Sequence, residues 1–184
     1  FNAKNFLKIE KGENTISSTQ NGFILTGKGT KEKPYRTDMA FFTGDDPTVV
    51  DHCWFRGGWW DPLSMAWNTI RNMEIKPVEP VESDAPGASL FVPFNLESGK
   101  TKTISLMMAW FSPETELTFG EMGTRKENCD PAHGCCNSPS DIALDKYDKD
   151  FNGKTYKPWY SSRFSSINDV ILYWREHYAE LKRE

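Results

Sequence analysis

The sequence has no apolar run approaching the roughly 18 to 20 residues that a bilayer-spanning helix needs, so no membrane span is expected. It also has no excess of positive charge. Its 22 Lys and Arg are outnumbered by 26 Asp and Glu, for a net charge of −4 over 184 residues. Binding to a phosphate backbone normally requires clustered Lys and Arg, so no nucleic-acid partner is expected. Histidine is scarce, and His52, His133 and His177 form no Ser or Cys triad by any spacing. The chain has no initiator Met and no charged-then-apolar leader ahead of Phe1. We therefore read it as soluble; a chain that opens at Phe1 is either a mature form or an excised fragment, and a fragment is the expectation here. Cysteine is limited to Cys53, Cys129, Cys135 and Cys136, three of them in one polar segment.

Aromatic residues, by contrast, are plentiful: twelve Phe, seven Trp and six Tyr. They suit either a β-rich core or a surface that stacks on sugar rings. The length fits one domain, with a separate second core not expected. GFILTGKG and DMAFFTG read as strands, joined by a charged loop over residues 28–36 that contains Gly29 and Pro34. Asp61-Pro62 is a helix start, because the Asp oxygen accepts a free backbone N–H and Pro has none to leave unpaired. Leu63, Ala66, Trp67 and Ile70 then mark one face of a short helix that ends near Asn72.

After the DAPG turn, Ala88 to Asn95 and Thr101 to Phe111 read as a β-hairpin, with Gly99 taking the backbone angles its turn requires. Residues 107–111 are apolar on both faces, which predicts a central strand covered on both sides. Residues 118–159 are polar and without period, a long loop expected to be functional or stapled. Ser166 and Asp169 form a capping box for a final helix. Its stripe of Ile167, Val170, Ile171, Trp174, Tyr178 and Leu181 calls for a partner surface. The predicted fold class is all-β: an antiparallel β-sandwich with a short inserted helix and a C-terminal linker helix.

Three constellations carry possible chemistry. In CDPAHGCC, a disulfide from Cys129 to Cys135 or Cys136 stands beside a zinc site on Cys129, His133 and Cys135 or Cys136, completed by Cys53, and beside free thiols. The disulfide reading favours export, to periplasm or extracellular space. In DKDFNG, Asp148, Asp150 and Asn152 occupy the first, third and fifth positions of a calcium loop, with Asp145 as a further oxygen donor. The twelfth position is Trp159 rather than Glu, so this is no EF-hand, and a solvated Asx turn is the alternative. No cofactor is required, and calcium is the ion this loop would take. Trp54, Trp59 and Trp60, with Phe55, surround Gly57-Gly58. Exposed together they would stack on a sugar face; buried, they would fill a seam against a neighbouring domain.

TDMAFFTG with HCWFRGGWWDPLSMAWNTI, then DAPGASLFVPFNLESGKTKTISLMMAWFSP, then YSSRFSSINDVILYWREHYAEL together resemble, in order and spacing, the N-terminal β-sandwich part of glycoside hydrolase family 116. This is the family of bacterial β-glucosidases and the animal non-lysosomal glucosylceramidase. The resemblance implies a non-catalytic portion of a retaining β-glycosidase, in which the sandwich braces a helical catalytic domain and helps shape its substrate entrance. The domain plan is then 1–117 sandwich, lacking the family's first strands, 118–160 loop with the Cys cluster, and 161–184 linker helix. Partners would be the chain's own downstream catalytic domain and the parent enzyme's glycoside substrate. The catalytic carboxylates, about 5 Å apart in retaining enzymes, map onto no residue of this chain, so the piece alone is expected to be inactive. A free-standing carbohydrate-binding module using the Trp54–Trp60 loop is the alternative. The apolar end of the hairpin and the helix stripe are expected to be sealed by folding back, by self-association through the helix, or by the missing domain.

Overall fold

A computed structural model describes residues 1–5, 14–28, 36–44, 47–82, 85–115 and 156–183. The strands within them are β1 (Asn2–Lys4), β2 (Asn14–Thr19), β3 (Gly22–Gly27), β4 (Thr37–Thr43), β5 (Val49–Asp51), β6 (Gly87–Phe91) and β7 (Leu106–Phe111). The helices are α1 (Pro62–Arg71) and α2 (Ile167–Leu181). The strands form two antiparallel sheets, β1-β6-β5 and β2-β3-β4-β7. The chain is an all-β sandwich with two short helices. Among the described residues no helix is long and apolar enough to cross a membrane.

The two segments read as strands from sequence are β3 and β4, and they are the centre of the larger sheet. β3 is buried along its whole length, which its GFILTG sequence allows because both of its faces are apolar. Phe23 and Leu25 point into the space between the sheets, where they join Ile16, Phe41, Ala3, Ala85, Ala88 and Leu90. Ile24 points the other way, and with Ala40, Phe42, Met107, Ala109 and Phe111 it makes a second apolar face. The tight turn between β2 and β3 places Asn21 at φ 55. Beside it Gly22 lies so close to β4 that a Cβ would sit 2.1 Å from the Phe41 carbonyl oxygen. Only glycine fits there.

The second apolar face is covered by α2. Ser166 caps this helix, accepting from the Asp169 N–H while the Asp169 carboxylate accepts from the Ser166 N–H, as the capping box predicts. Ile167 and Ile171 are buried against the sheet, with Val170, Trp174 and Tyr178 packed around them. Arg175 reinforces the contact by donating to the Gln20 carbonyl and lying 4.8 Å over the Phe42 ring. The helix is thus a third layer, and the stripe from which self-association was expected is largely taken up by the chain's own sheet.

The expected hairpin does not form. β6 is already paired on both edges, by β1 and β5, so β7 crosses to the other sheet and pairs with β4. The turn nonetheless has the chemistry that the sequence predicts: Gly99 has φ 74, and the Lys100 N–H reaches the Glu97 carbonyl. Nor is β7 central. Among the described residues it pairs only with β4, at the end of the strand order.

Candidate functional site

Helix α1 begins where the sequence predicts, with the Asp61 carboxylate accepting from the Ser64 N–H at 2.8 Å and from its hydroxyl at 3.1 Å, and it is capped at Asn72. The Ser64 N–H holds the Asp61 carboxyl below its ordinary range. The apolar face drawn for this helix is not buried. Ala66 alone is enclosed, whereas Leu63 and Trp67 are exposed.

Trp59 and Trp60 precede the helix and are 76% and 63% exposed. Phe55 meets Trp59 edge-on, with ring centroids 5.4 Å apart, so one member of the pair is oriented by a neighbour. Trp54 does not belong with them. It is 3% exposed and its indole N–H donates to the Ser89 hydroxyl at 2.7 Å, which in turn donates to the Asn2 side-chain oxygen at 2.6 Å. Its ring lies on Gly87, where a Cβ would come within 2.5 Å of it. Trp54 ties the segment after β5 to β6, and the sugar-stacking set of Trp54, Trp59 and Trp60 is reduced to the last two, with Trp67 exposed one helical turn and more beyond them.

A second open apolar surface lies on β7. Met107, Ala109 and Phe111 are buried under α2, while the alternate residues Leu106, Met108 and Trp110 are exposed, Trp110 by 65%. The register puts Trp110 opposite Met39 and Met108 opposite Phe41, residues that belong to the core between the sheets. Directly opposed residues share a face. The strip is therefore an extension of the inter-sheet core onto a strand that the smaller sheet leaves uncovered.

Most polar groups near the Trp loop have structural partners, the exception being the buried His52 Nε2. The Asp51 carboxylate accepts from the Cys53 N–H at 3.0 Å, and burial pushes its carboxyl above the ordinary range. Burial likewise raises the thiol of Cys53, which is unpaired and partly buried. His52 is buried and its Nδ1 lies 2.8 Å from the Val78 carbonyl, so Nδ1 carries the proton and donates. Arg163 is exposed; its neighbour Phe164 packs on the α2 side of the sheet and meets Tyr173 at 5.5 Å.

Cys129, His133, Cys135 and Cys136, and Asp145, Asp148, Asp150 and Asn152, lie outside the described residues, and so do the disulfide, zinc and calcium expectations placed on them. Among the described residues no cluster of His, Cys, Asp or Glu could hold a metal ion. Sequence reasoning did not single out the Leu106, Met108 and Trp110 strip as a surface. The sequence LMMAWF is apolar on both faces and carries no signal of which face is left open; the alternation lies in the burial alone.

Compared with known protein families, the chain matches the model described as beta-glucosidase 2, glycosyl-hydrolase family 116 N-term, over residues 4–181. The search of curated proteins and the search of solved structures returned no match.

Proposed function

The chain belongs to the family of glycosyl hydrolase family 116 N-terminal domains, and on that footing we propose that it is the non-catalytic sandwich portion of a β-glycosidase, bracing a helical catalytic domain that carries the reacting carboxylates. The observation that supports this reading is the uncovered strip of Leu106, Met108 and Trp110. These side chains continue a core onto an open strand, and a contiguous apolar surface of that kind marks an interaction site. A neighbouring domain seated there would complete the sandwich. The substrate of the whole enzyme would then be a β-glucoside or related glycoside, with this portion shaping the approach to the site.

The test is to add the chain to the separately produced catalytic portion and follow activity and thermal unfolding. Rescue or stabilisation by the parent chain, lost with Met108→Ser plus Trp110→Ser, supports the brace. Equal behaviour of parent and double variant refutes it.

A second reading, direct glycan binding, is favoured by the exposed and partly oriented pair Trp59 and Trp60. Its sign would be a change in Trp fluorescence on titration with β-glucosides, abolished by Trp59→Ala or Trp60→Ala. The two readings use different surfaces and separate cleanly.

A further inference from the structure

The chain leaves the larger sheet after β7 and returns before α2, and the two ends of the excursion face one another. The Thr115 N–H donates to the Tyr156 carbonyl at 2.9 Å, and the Tyr156 N–H donates to the Thr115 carbonyl at 2.8 Å. This reciprocal exchange is the hydrogen-bonded pair of an antiparallel ladder. Beside it the Tyr160 hydroxyl donates to the Ser112 carbonyl at 2.9 Å and accepts from the Ser112 N–H at 3.3 Å. The Ser161 hydroxyl donates to the Pro113 carbonyl at 3.1 Å. The Tyr160 ring stands edge-on to Phe111, with centroids 6.0 Å apart.

The backbone that ends β7 is thus tied at Ser112, Pro113 and Thr115 to the backbone of Tyr156 and the side chains of Tyr160 and Ser161, in the segment that leads into α2. The anchors of α2 itself follow the same rule. Ile167 and Ile171 pack on a face made by β3, β4 and β7, and Arg175 reaches the turn before β3. Each of these named contacts joins α2 or the segment before it to the larger sheet and the strand end that follows it.

We infer that residues 112–115 and 156–161 form a clasp that makes residues 116–155 an insertion closed at its base, and that the sandwich and α2 assemble and stay joined independently of it. Antiparallel neighbours that exchange both hydrogen bonds can be connected by two to five residues, so the geometry at Thr115 and Tyr156 places no demand on a longer connection. The entropy of closing a loop grows only with the logarithm of its length. Shortening this one therefore favours the folded state by a modest amount. The clasp also predicts how a cut chain behaves: the two pieces remain one particle, held by the face under α2 and by the hydrogen bonds of Tyr160 and Ser161.

Two variants of the full chain test this. In the first, residues 118–153 are replaced by a short Gly-Ser connection, and thermal unfolding is followed by near-ultraviolet circular dichroism with amide exchange in α2. The expected result is one cooperative transition with a midpoint equal to, or a few degrees above, that of the parent, and protected amides in α2. A midpoint lowered by more than about 5 °C, or loss of α2 protection, overturns the inference. In the second, a protease site flanked by Gly-Ser spacers is inserted after residue 120 and cut after folding. The fragments should co-elute in native buffer and separate in denaturant; separation in native buffer overturns the inference. Tyr160→Phe with Ser161→Ala in the cut protein should weaken fragment association at least tenfold. Unchanged association removes the holding role assigned to the clasp.

Discussion

Replacing Ile171 by Ala tests whether α2 is a structural layer or a loosely attached linker. Ile171 is 3% exposed, enclosed by the face that Phe42, Met107, Ala109 and Phe111 present, while its neighbour Leu172 is 56% exposed. Truncating a buried Ile to Ala costs about 2 to 5 kcal/mol, depending on how far the surroundings close the cavity. α2 lies at one side of the molecule and can shift inward, so we expect a value near the lower half, about 2 to 3 kcal/mol. Alanine's better helix propensity works against the loss by a few tenths of a kcal/mol. For a chain of this size the change lowers the unfolding midpoint by about 4 to 10 °C. Leu172→Ala is the matched control, expected within about 0.5 kcal/mol of the parent. Urea and thermal unfolding of both variants provide the measurement. If the two substitutions have equal effects, or Ile171→Ala costs under about 0.5 kcal/mol, α2 is not packed as described and the three-layer account fails.

Four other outcomes follow from named contacts. Trp54→Phe removes the donor to Ser89 while leaving a ring in place, and should cost about 1 to 3 kcal/mol in urea unfolding; a neutral result would show that the hydrogen bond does not tie the Trp54 segment to β6. Trp59→Ala and Trp60→Ala should each leave stability within about 0.5 kcal/mol, so any loss of glycoside binding is not an unfolding artefact. Asp51→Asn keeps an acceptor for the Cys53 N–H and removes a charge that burial disfavours. Because the folded-state pKa of Asp51 is raised, the folded protein binds the extra proton, and stability from this group declines as pH rises from the ordinary carboxylate range through that raised value. The variant should therefore match the parent near pH 4, about the ordinary carboxylate value, and exceed it at neutral pH; a constant difference across that range, in unfolding measured at several pH values, would contradict this. Asp61→Ala should speed hydrogen exchange at the first amides of α1, and Asp61→Asn should largely preserve them; with its folded pKa lowered, the cap's contribution is present above the ordinary carboxylate range and fades as pH falls through the lowered value.

Local signals in the sequence carried well into the structure. Asp61-Pro62, the Ser166 and Asp169 box and the left-handed Gly99 each depend on a few adjacent residues, and each is found where the sequence places it. The two apolar segments that became β3 and β4 were also visible, because burial on both faces leaves a continuous apolar run. Pairing was not visible. Whether the residues after the Gly99 turn fold back on β6 or cross to β4 depends on the fact that β1 and β5 already occupy both edges of β6, and β1 and β5 are three residues long, too short to show a period. Exposure was equally hard to read. Leu63 and Trp67 have the spacing of a buried helix face, and nothing in that spacing tells that the surface opposite them is left open. Trp54 and Trp59 stand five positions apart in one aromatic cluster, yet one is core and the other surface, a difference set by Gly87 and Ser89 on a distant strand.

The edge position of β7 gives the exposed strip its meaning. Isolated edge strands are usually protected by a charge, a proline or a bulge that discourages pairing with another chain. Leu106 to Phe111 has none of these within it; Pro113 comes only after the strand has ended, and the opposing register with β4 is continuous from Thr43 to Asp38. One face of the strand is sealed by α2 and the other presents Leu106, Met108 and Trp110 in line with a core that stops short of them. Among the described residues β7 pairs only with β4, and three large apolar residues on the exposed face of such a strand are consistent with a surface covered in use. Polar replacements at Met108 and Trp110 should therefore leave the isolated chain's unfolding nearly unchanged while removing the stabilisation of a catalytic portion proposed above. If instead those replacements destabilise the isolated chain by several kcal/mol, on the order of a buried side chain's contribution, the strip is already part of this domain's own core and the case for an external neighbour is lost.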